Sequence, residues 1–449
     1  GDRAADPKFR ADTEILCTDS LLRLAVTLKF GKIDPASLDP AWNFSRRIEG
    51  QDPVKVLDDV LKSKDIAAAL EGVDPNTEFY NGLRQALVTY RGILSRGGWP
   101  KVPDGETLEP GSTGPRVVAL RDRLRVTGDL EAADPSDPAV FDDALGTAVE
   151  GFQHRHGIAS DGRVGPRTLE ELNVPVEARI DQMRASLERS RWVFRDIGSD
   201  FIIVDIAGYH LYLVEAGKRT WSTNVQVGQP FHATPVFKST LKYVEFNPTW
   251  TIPAGILRNE TLPRIRKDPS YLRRNNMSVV TDSGKIVDPA TIDWAETASK
   301  GFPYMIRQEP GTNNALGQVK FIFPNEHSVY LHDTPSKGLF AHAERAFSHG
   351  CIRTENPLDL AALLLDDQGW DRARIDDVIK SGKTTRVNLD KPVTIMLLYW
   401  TAQPDADGVV HFRKDLYGRD AAIIKGLDQP FRVDPPEGVR EAVDGPPTH

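Results

Sequence analysis

The sequence predicts a multidomain α+β protein: a helical scaffold, a small three-helix bundle set into it, and a mostly antiparallel β domain that carries an inserted cap. Three observations predict it. Apolar residues recur at helical spacing over the first hundred positions, a Gly- and Pro-rich stretch then leads into three short helical patterns, and from residue 200 the period changes to alternation. At about 150 residues per domain, a chain of 449 residues has room for roughly three such units. A hydrophobic content of 40% and a charged content of 27% are ordinary for a globular protein, so a core can form without disulfides or metals. The net charge of −8 argues against broad nucleic-acid binding, which needs a basic footprint. No apolar run approaches the roughly 20 residues that span a bilayer; the longest are LAALLL and IMLLYW. The chain starts at Gly1, and any signal peptide or membrane anchor is expected to be missing from it.

Residues 1–106 and 175–198 form the expected scaffold. DSLLRLAVTLKF, VKVLDDVLKSKDIAAALEG and FYNGLRQALVTYRGIL are helical in period, and Cys17, in the first of these helices, is expected to be a small buried core residue. EARIDQMRASLERSRWVF returns to this layer with Ile180, Met183, Leu187 and Trp192 on one stripe. Residues 107–174 are the bundle: Pro115 opens a helix that Gly128 stops, Leu145, Ala148, Val149 and Phe152 share one face of a second, and DGRVGPRTLEELN makes a turn and a third.

The β domain is expected over residues 199–430, with a tail at 431–449. DFIIVDIAGYHLYLVEAGKRTWSTNVQVG reads as three antiparallel strands, and LKYVEFN, QVKFIFP, SVYLHD, KPVTIMLLYW and GVVHFRKD as further ones. The strand pattern breaks at about 254–316, where GILRNETLPRIRKDPSYLRRNN is helical; an insertion of this length in a compact sheet is usually functional, here a cap. Its residues 258–274 hold six Lys/Arg against two acids, which suits a carboxylate-bearing substrate or simply a solvated face.

The chemistry centres on AFSHGCIRTENP. Cys351 is one of only two cysteines, and both are read as free thiols. A free cysteine is a few per cent thiolate at neutral pH, so a nucleophilic one needs an imidazole to take its proton. His349 lies two residues before it and His332 nineteen residues before, at the end of a strand; spacing does not decide between them. Gly350 allows a tight backbone in which its own N–H and that of Cys351 can face a developing oxyanion. ENPLDLAALLLDD follows as a helix with Asn356 as its cap. Composition alone favours an inert buried cysteine beside a structural histidine, and a zinc site of His332, His349 and Cys351 lacks the usual ligand spacing.

Two resemblances bear on this choice. Gly111, Gly114, Val117 and Leu120, the AV-x-x-FQ run Ala148–Gln153 and the DG-x-VG-x-x-T-x-x-x-L run Asp161–Leu172 resemble the peptidoglycan-binding domain 1 family. These are mostly core and turn positions, so they speak for the fold more than for glycan binding. HDTPSKGLFAHAERAFSHGCIR, from His332 to Arg353, resembles the signature of the L,D-transpeptidase catalytic (YkuD) family. SHGCIR, NPTWTIP, the cap and the scaffold with its bundle are similar to the large YcbB-type enzymes of Gram-negative bacteria.

The resemblance implies Cys351 as nucleophile and His332 as general base oriented by a backbone carbonyl, that of Asp333. It implies His349 as a second histidine beside the thiol, Gly350 and Cys351 as oxyanion backbone, Tyr330 near the acyl site and Trp250 under the cap. Arg353 holds a substrate carboxylate or a structural salt bridge. The implied activity is 3→3 cross-linking of peptidoglycan stem peptides through a cysteine thioester, without metal or organic cofactor. Carbapenems are implied as inhibitors, cell-wall synthases as partners, and a periplasmic location with an inner-membrane anchor supplied by a missing N-terminal segment. An L,D-carboxypeptidase or endopeptidase using water, or a non-catalytic wall-binding scaffold, are the competing readings.

Overall fold

The computed structural model describes residues 6–44, 53–73, 75, 77–131, 136–194, 197–297 and 301–431. It divides the chain into two compact units: Gly1–Gly198 with Leu398–His449, and Ser199–Leu397. The sequence reading of a β domain reaching residue 430 is corrected by this division. Ala402, Val410 and Phe412, from the hairpin Ala402–Pro404 and Val410–Phe412, are buried with the helices of the first unit, and burial of these side chains overrides the strand character of the segment. The expected tail lies outside the described residues beyond residue 431.

The first unit contains α1 (Pro7–Phe30), α2 (Pro53–Lys62), α3 (Ile66–Glu71), α4 (Glu78–Ser95), α5 (Pro115–Val126), α6 (Asp143–Arg155), α7 (Pro166–Leu172) and α8 (Val176–Val193). α4 and α8 share a core of Tyr80, Leu83, Leu87, Ile180, Met183 and Leu187, the stripe that the helical period marks. α5, α6 and α7 enclose a separate cluster that includes Val117, Leu120, Leu124, Phe152 and Leu172. Arg155 ties this bundle into the unit: its buried guanidinium pairs with Asp129 at 2.6 Å and donates to the Tyr90 hydroxyl and to the Val410 carbonyl. Cys17 is exposed rather than buried, because α1 turns only Ala25 and Phe30 fully inward and leaves Ile15 and Leu16 on the surface. Among the described residues no helix is long and apolar enough to cross a membrane.

The second unit is built on a nine-stranded sheet in the order β11-β3-β12-β10-β9-β4-β13-β1-β2. Its strands are β1 (Phe201–Asp205), β2 (His210–Glu215), β3 (Lys218–Gly228), β4 (Phe237–Phe246), β9 (Val319–Ile322), β10 (Leu331–His332), β11 (Ala346–Ser348), β12 (Ile352–Thr354) and β13 (Thr385–Leu398). β3 is shared, pairing with β2 from Lys218 to Asn224 and with β12 at Val225 and Gln226, so the sheet closes on itself. β10 with β12 and β11 with β3 pair in parallel, whereas β1 with β2, β2 with β3, β3 with β12, β10 with β9, β9 with β4 and β4 with β13 are antiparallel.

The cap is a small α/β layer rather than a helical break. β5 (Trp250–Thr251), β6 (Met277–Val280), β7 (Ile286–Val287) and β8 (Met305–Gln308) form a second sheet in the order β5-β8-β6-β7. Three short helices, α9 (Ala254–Ile256), α10 (Leu262–Lys267) and α11 (Ser270–Arg274), pack with it around Leu262, Ile265, Leu272, Val279 and Ile306. Between α9 and α10 the backbone is π-helical over Leu257–Thr261, a geometry that often marks a functional turn. α12 (Pro357–Leu365) and α13 (Arg372–Ser381) complete the unit. Asn356 precedes α12 but makes no capping bond; its amide donates instead to the Thr223 hydroxyl.

Candidate active site

The two parallel strands bring the site together. β10 and β12 pair Leu331 with Ile352 and His332 with Arg353. The Ile352 N–H donates to the Tyr330 carbonyl at 3.1 Å, which sets Tyr330 beside Cys351. Side chains alternate along a strand, so Tyr330, His332, Cys351 and Arg353 share one face, while Leu331 and Ile352 point the other way and are fully buried. Parallel pairing keeps both pairs in step, each imidazole or phenol beside a thiol or guanidinium.

His332 is buried, and its Nδ1 lies 2.5 Å from the Asp333 carbonyl oxygen. A carbonyl only accepts, so Nδ1 carries the proton and Nε2 keeps a lone pair. Burial, assisted by the charges of Arg353 and Lys320, lowers the imidazole to about 3. The Cys351 thiol is raised by burial, partly offset by hydrogen bonding to Tyr330 and by the charge of Arg353, and it donates to the Ser328 carbonyl at 3.8 Å. The resting pair is therefore neutral imidazole and neutral thiol, a general base awaiting its proton rather than a preformed ion pair. Tyr330 is pushed upward by burial and then by its neighbour Cys351, while Trp250 acts the other way. Trp250, on β5 of the cap, thus reaches the thiol's neighbour while its ring packs against the cap core.

The Gly350 N–H, one of the two backbone donors expected for an oxyanion, donates to the Ser348 hydroxyl at 3.1 Å. Gly350 also shapes the loop: its φ is +109°, and its carbonyl accepts from the Thr234 hydroxyl at 2.9 Å. Arg353 forms no ion pair within the protein among the described residues, so the structural salt bridge is not made; it donates to Gln226 Oε1, its partner on β3, at 3.2 Å. Burial lowers its guanidinium and the Cys351 charge acts against this. Asp333 turns its carboxylate into an ion pair with Lys337 at 2.6 Å, while its carbonyl meets His332 Nδ1 as the resemblance implies.

His349 lies at the rim. Its Nε2 is 2.9 Å from Glu260 Oε1 on the π-helical turn of the cap, and its ring packs 4.8 Å from that of His232. Of the basic cap residues, Arg264 approaches Glu260 and Tyr271, Arg266 bonds to Thr297 and Arg274 pairs with Asp268, which commits half of that run within the cap. Among the described residues no group of three His, Cys, Asp or Glu side chains converges as a metal site.

Sequence reasoning missed several residues. Thr234 is fully buried, donates to the Gly350 carbonyl and accepts from the Gly228 N–H. Gly228 itself admits no side chain: a Cβ there would stand 2.0 Å from the His232 carbonyl and 3.1 Å from the Gly350 Cα. Ser348 holds the turn by donating to the Cys351 carbonyl at 2.5 Å. Glu260 gave no signal beyond its place in the insertion, whereas the glycine closing the strand pattern NVQVG was a readable hint of close backbone approach.

Comparison with known proteins places these features. Residues 199–394 match the L,D-transpeptidase catalytic domain family, residues 113–172 a family described as "Putative peptidoglycan binding domain", and residues 2–87 a scaffold domain family. The chain thus carries an L,D-transpeptidase catalytic domain of the YkuD type together with a domain of the peptidoglycan-binding type. A relative from Haemophilus influenzae, described as "Putative L,D-transpeptidase", is 38% identical over 270 residues, which are 59% of this chain and 54% of that protein. The chain therefore spans about half the length of the curated relative it matches. Among solved structures, an L,D-transpeptidase from Xylanimonas cellulosilytica is 17% identical, with 66% of this chain and 99% of that one covered and a TM-score of 0.22. The catalytic domain of an E. faecium L,D-transpeptidase, acylated by ertapenem, is 12% identical, with 45% and 100% covered and a TM-score of 0.21.

Proposed function

We propose that the protein is a cysteine-dependent L,D-transpeptidase that forms 3→3 cross-links between peptidoglycan stem peptides. One observation carries the reading: Cys351 and His332 share one face of two adjacent parallel strands, and the Asp333 carbonyl holds His332 in the tautomer that leaves Nε2 able to accept a proton. Cys351 Sγ attacks the carbonyl of the third stem residue as its proton passes to His332 Nε2. The tetrahedral intermediate collapses to a thioester and expels the terminal D-alanine, whose amine takes that proton. The side-chain amine of a second stem then attacks the thioester, gives a proton to His332, and leaves Cys351 to be reprotonated. The Cys351 N–H is a backbone donor for the developing oxyanion. A cap with its own core beside the thiol supports transfer over hydrolysis, since it can exclude water while a bulky amine enters.

The same reading makes carbapenems acylating inhibitors at Cys351 and cell-wall synthases working partners. It implies a periplasmic location. Residues 113–172 would hold the enzyme on its polymer. Incubation with a disaccharide tetrapeptide, with products resolved by mass, tests the activity. A dimer lacking one D-alanine is expected; tripeptide alone would identify a carboxypeptidase, and unchanged turnover by Cys351→Ala would remove the nucleophile.

A further inference from the structure

The Asp333 carbonyl fixes the tautomer of His332, but a carbonyl orients nothing unless its own peptide is held. In this protein the Asp333 carboxylate is clamped from two sides. One oxygen accepts from the Gln318 N–H at 2.8 Å, and the other lies 2.6 Å from the Lys337 ammonium. Lys337 is in turn anchored, donating to the Glu355 carbonyl just beyond β12 at 2.8 Å. The clamp needs room that only a glycine leaves: Gly317 has a φ of +60°, and a Cβ there would stand 2.3 Å from the Asp333 carboxylate. The Asp333 N–H donates to the Val319 carbonyl, so backbone and side chain are fixed together. Asp333 is 5% exposed, and a buried carboxylate without these partners would be costly. Nothing in orienting a backbone carbonyl requires an acidic side chain at this position.

We infer that the Asp333 carboxylate, clamped by the Gln318 N–H and the Lys337 ammonium over Gly317, is the positioning residue that holds His332 in its base-competent tautomer. The inference rests on the reading of His332 as the general base and extends it to residues that touch neither substrate nor thiol. Freed from the clamp, the Asp333 peptide can rotate, Nδ1 loses its acceptor, and the proton redistributes to Nε2, the nitrogen that must be empty. Displacement of a catalytic group by about 1 Å is worth roughly a hundredfold in rate.

The test uses the full chain labelled with 15N-histidine, in which the His332 ring nitrogens report the tautomer directly. Wild type is expected to show Nδ1–H almost alone. Asp333→Ala should mix the tautomers and slow acylation of Cys351 by a carbapenem about 10- to 100-fold, with the concentration giving half-maximal rate unchanged. Asp333→Asn, which keeps an acceptor for Gln318, should recover part of the loss. Lys337→Met, altered at a half-exposed side chain and so safe for folding, should move both readouts in the same direction by a smaller factor. A single Nδ1–H tautomer and unchanged acylation in Lys337→Met and in Asp333→Ala would overturn the inference, and if Asp333→Ala does not fold, the Lys337→Met result decides. Failure of the wild type to be acylated at all would count against the proposed function, whereas the tautomer measurement needs no substrate and still judges the clamp.

Discussion

His332 and Cys351 are both kept uncharged by burial, and the two shifts act at opposite ends of the pH scale. In the unfolded chain the imidazole takes up its proton near its ordinary 6.5, but in the folded protein only near about 3, so between these values the unfolded state binds more protons. Stability contributed by the neutral imidazole is thus complete above about 6.5 and is lost as pH falls toward 3. The thiol works the other way: its folded value lies above the ordinary 9.0, so stability declines as pH rises past that point. Denaturant titrations across pH should show a wild-type plateau between these limits, an acid limb that flattens in His332→Gln, and an alkaline limb that flattens in Cys351→Ala. An unchanged acid limb in His332→Gln would mean that the imidazole is not held neutral. For activity, His332→Ala is expected to slow carbapenem acylation by about 10² to 10⁴-fold, the usual worth of a general base. His349→Ala should cost far less, because its Nε2 is engaged by Glu260; the reverse order would transfer the base to His349.

At the scale of elements, the nucleophile loop is braced by its neighbours. Thr234→Val removes a hydroxyl that serves both the Gly350 carbonyl and the Gly228 N–H, and the loss of a buried hydrogen bond costs about 1–3 kcal/mol. Thermal melts and acylation rates of that variant should both fall. Glu260→Ala should release the cap from the loop with little loss of stability, since a half-exposed pair contributes about 1 kcal/mol or less, and amide exchange over residues 254–262 should speed up. These braces explain how much was legible beforehand. His332, Cys351 and Tyr330 lie in two short segments whose spacing and residue types carry a recognisable pattern, and the helical stripes of α4 and α8 follow from periodicity. Thr234, Gly228 and Glu260 meet the loop only because strands and cap residues about 90 to 120 positions earlier fold against it, and no local period records such a meeting. Cys17 and the hairpin at 402–412 misled for the same reason: whether an apolar or alternating segment is covered depends on a partner that local sequence does not name.

The whole molecule has two units with separate cores, so its unfolding should not be a single transition. A calorimetric scan is expected to resolve two, with a covalent adduct at Cys351 raising only the one that belongs to Ser199–Leu397. Asp129→Ala, which strands the buried Arg155 guanidinium, should lower the other by about 3–5 kcal/mol. A single cooperative peak that both perturbations move would contradict the independence of the two cores.

Closure of the sheet through β3 also sets when the chemistry comes into being. β10 spans two residues and β12 three, too short to stand as an isolated parallel ribbon, and they are held between β9 on one side and the far end of β3 on the other. The contact of β12 with β3 joins residues about 130 positions apart, the kind of long-range closure that forms late in folding. A chain still being threaded or half folded therefore holds a thiol with no base beside it. Its reactivity is born with the last seam of the sheet, and the rate at which a freshly refolded sample gains the ability to be acylated is a clock for that closure.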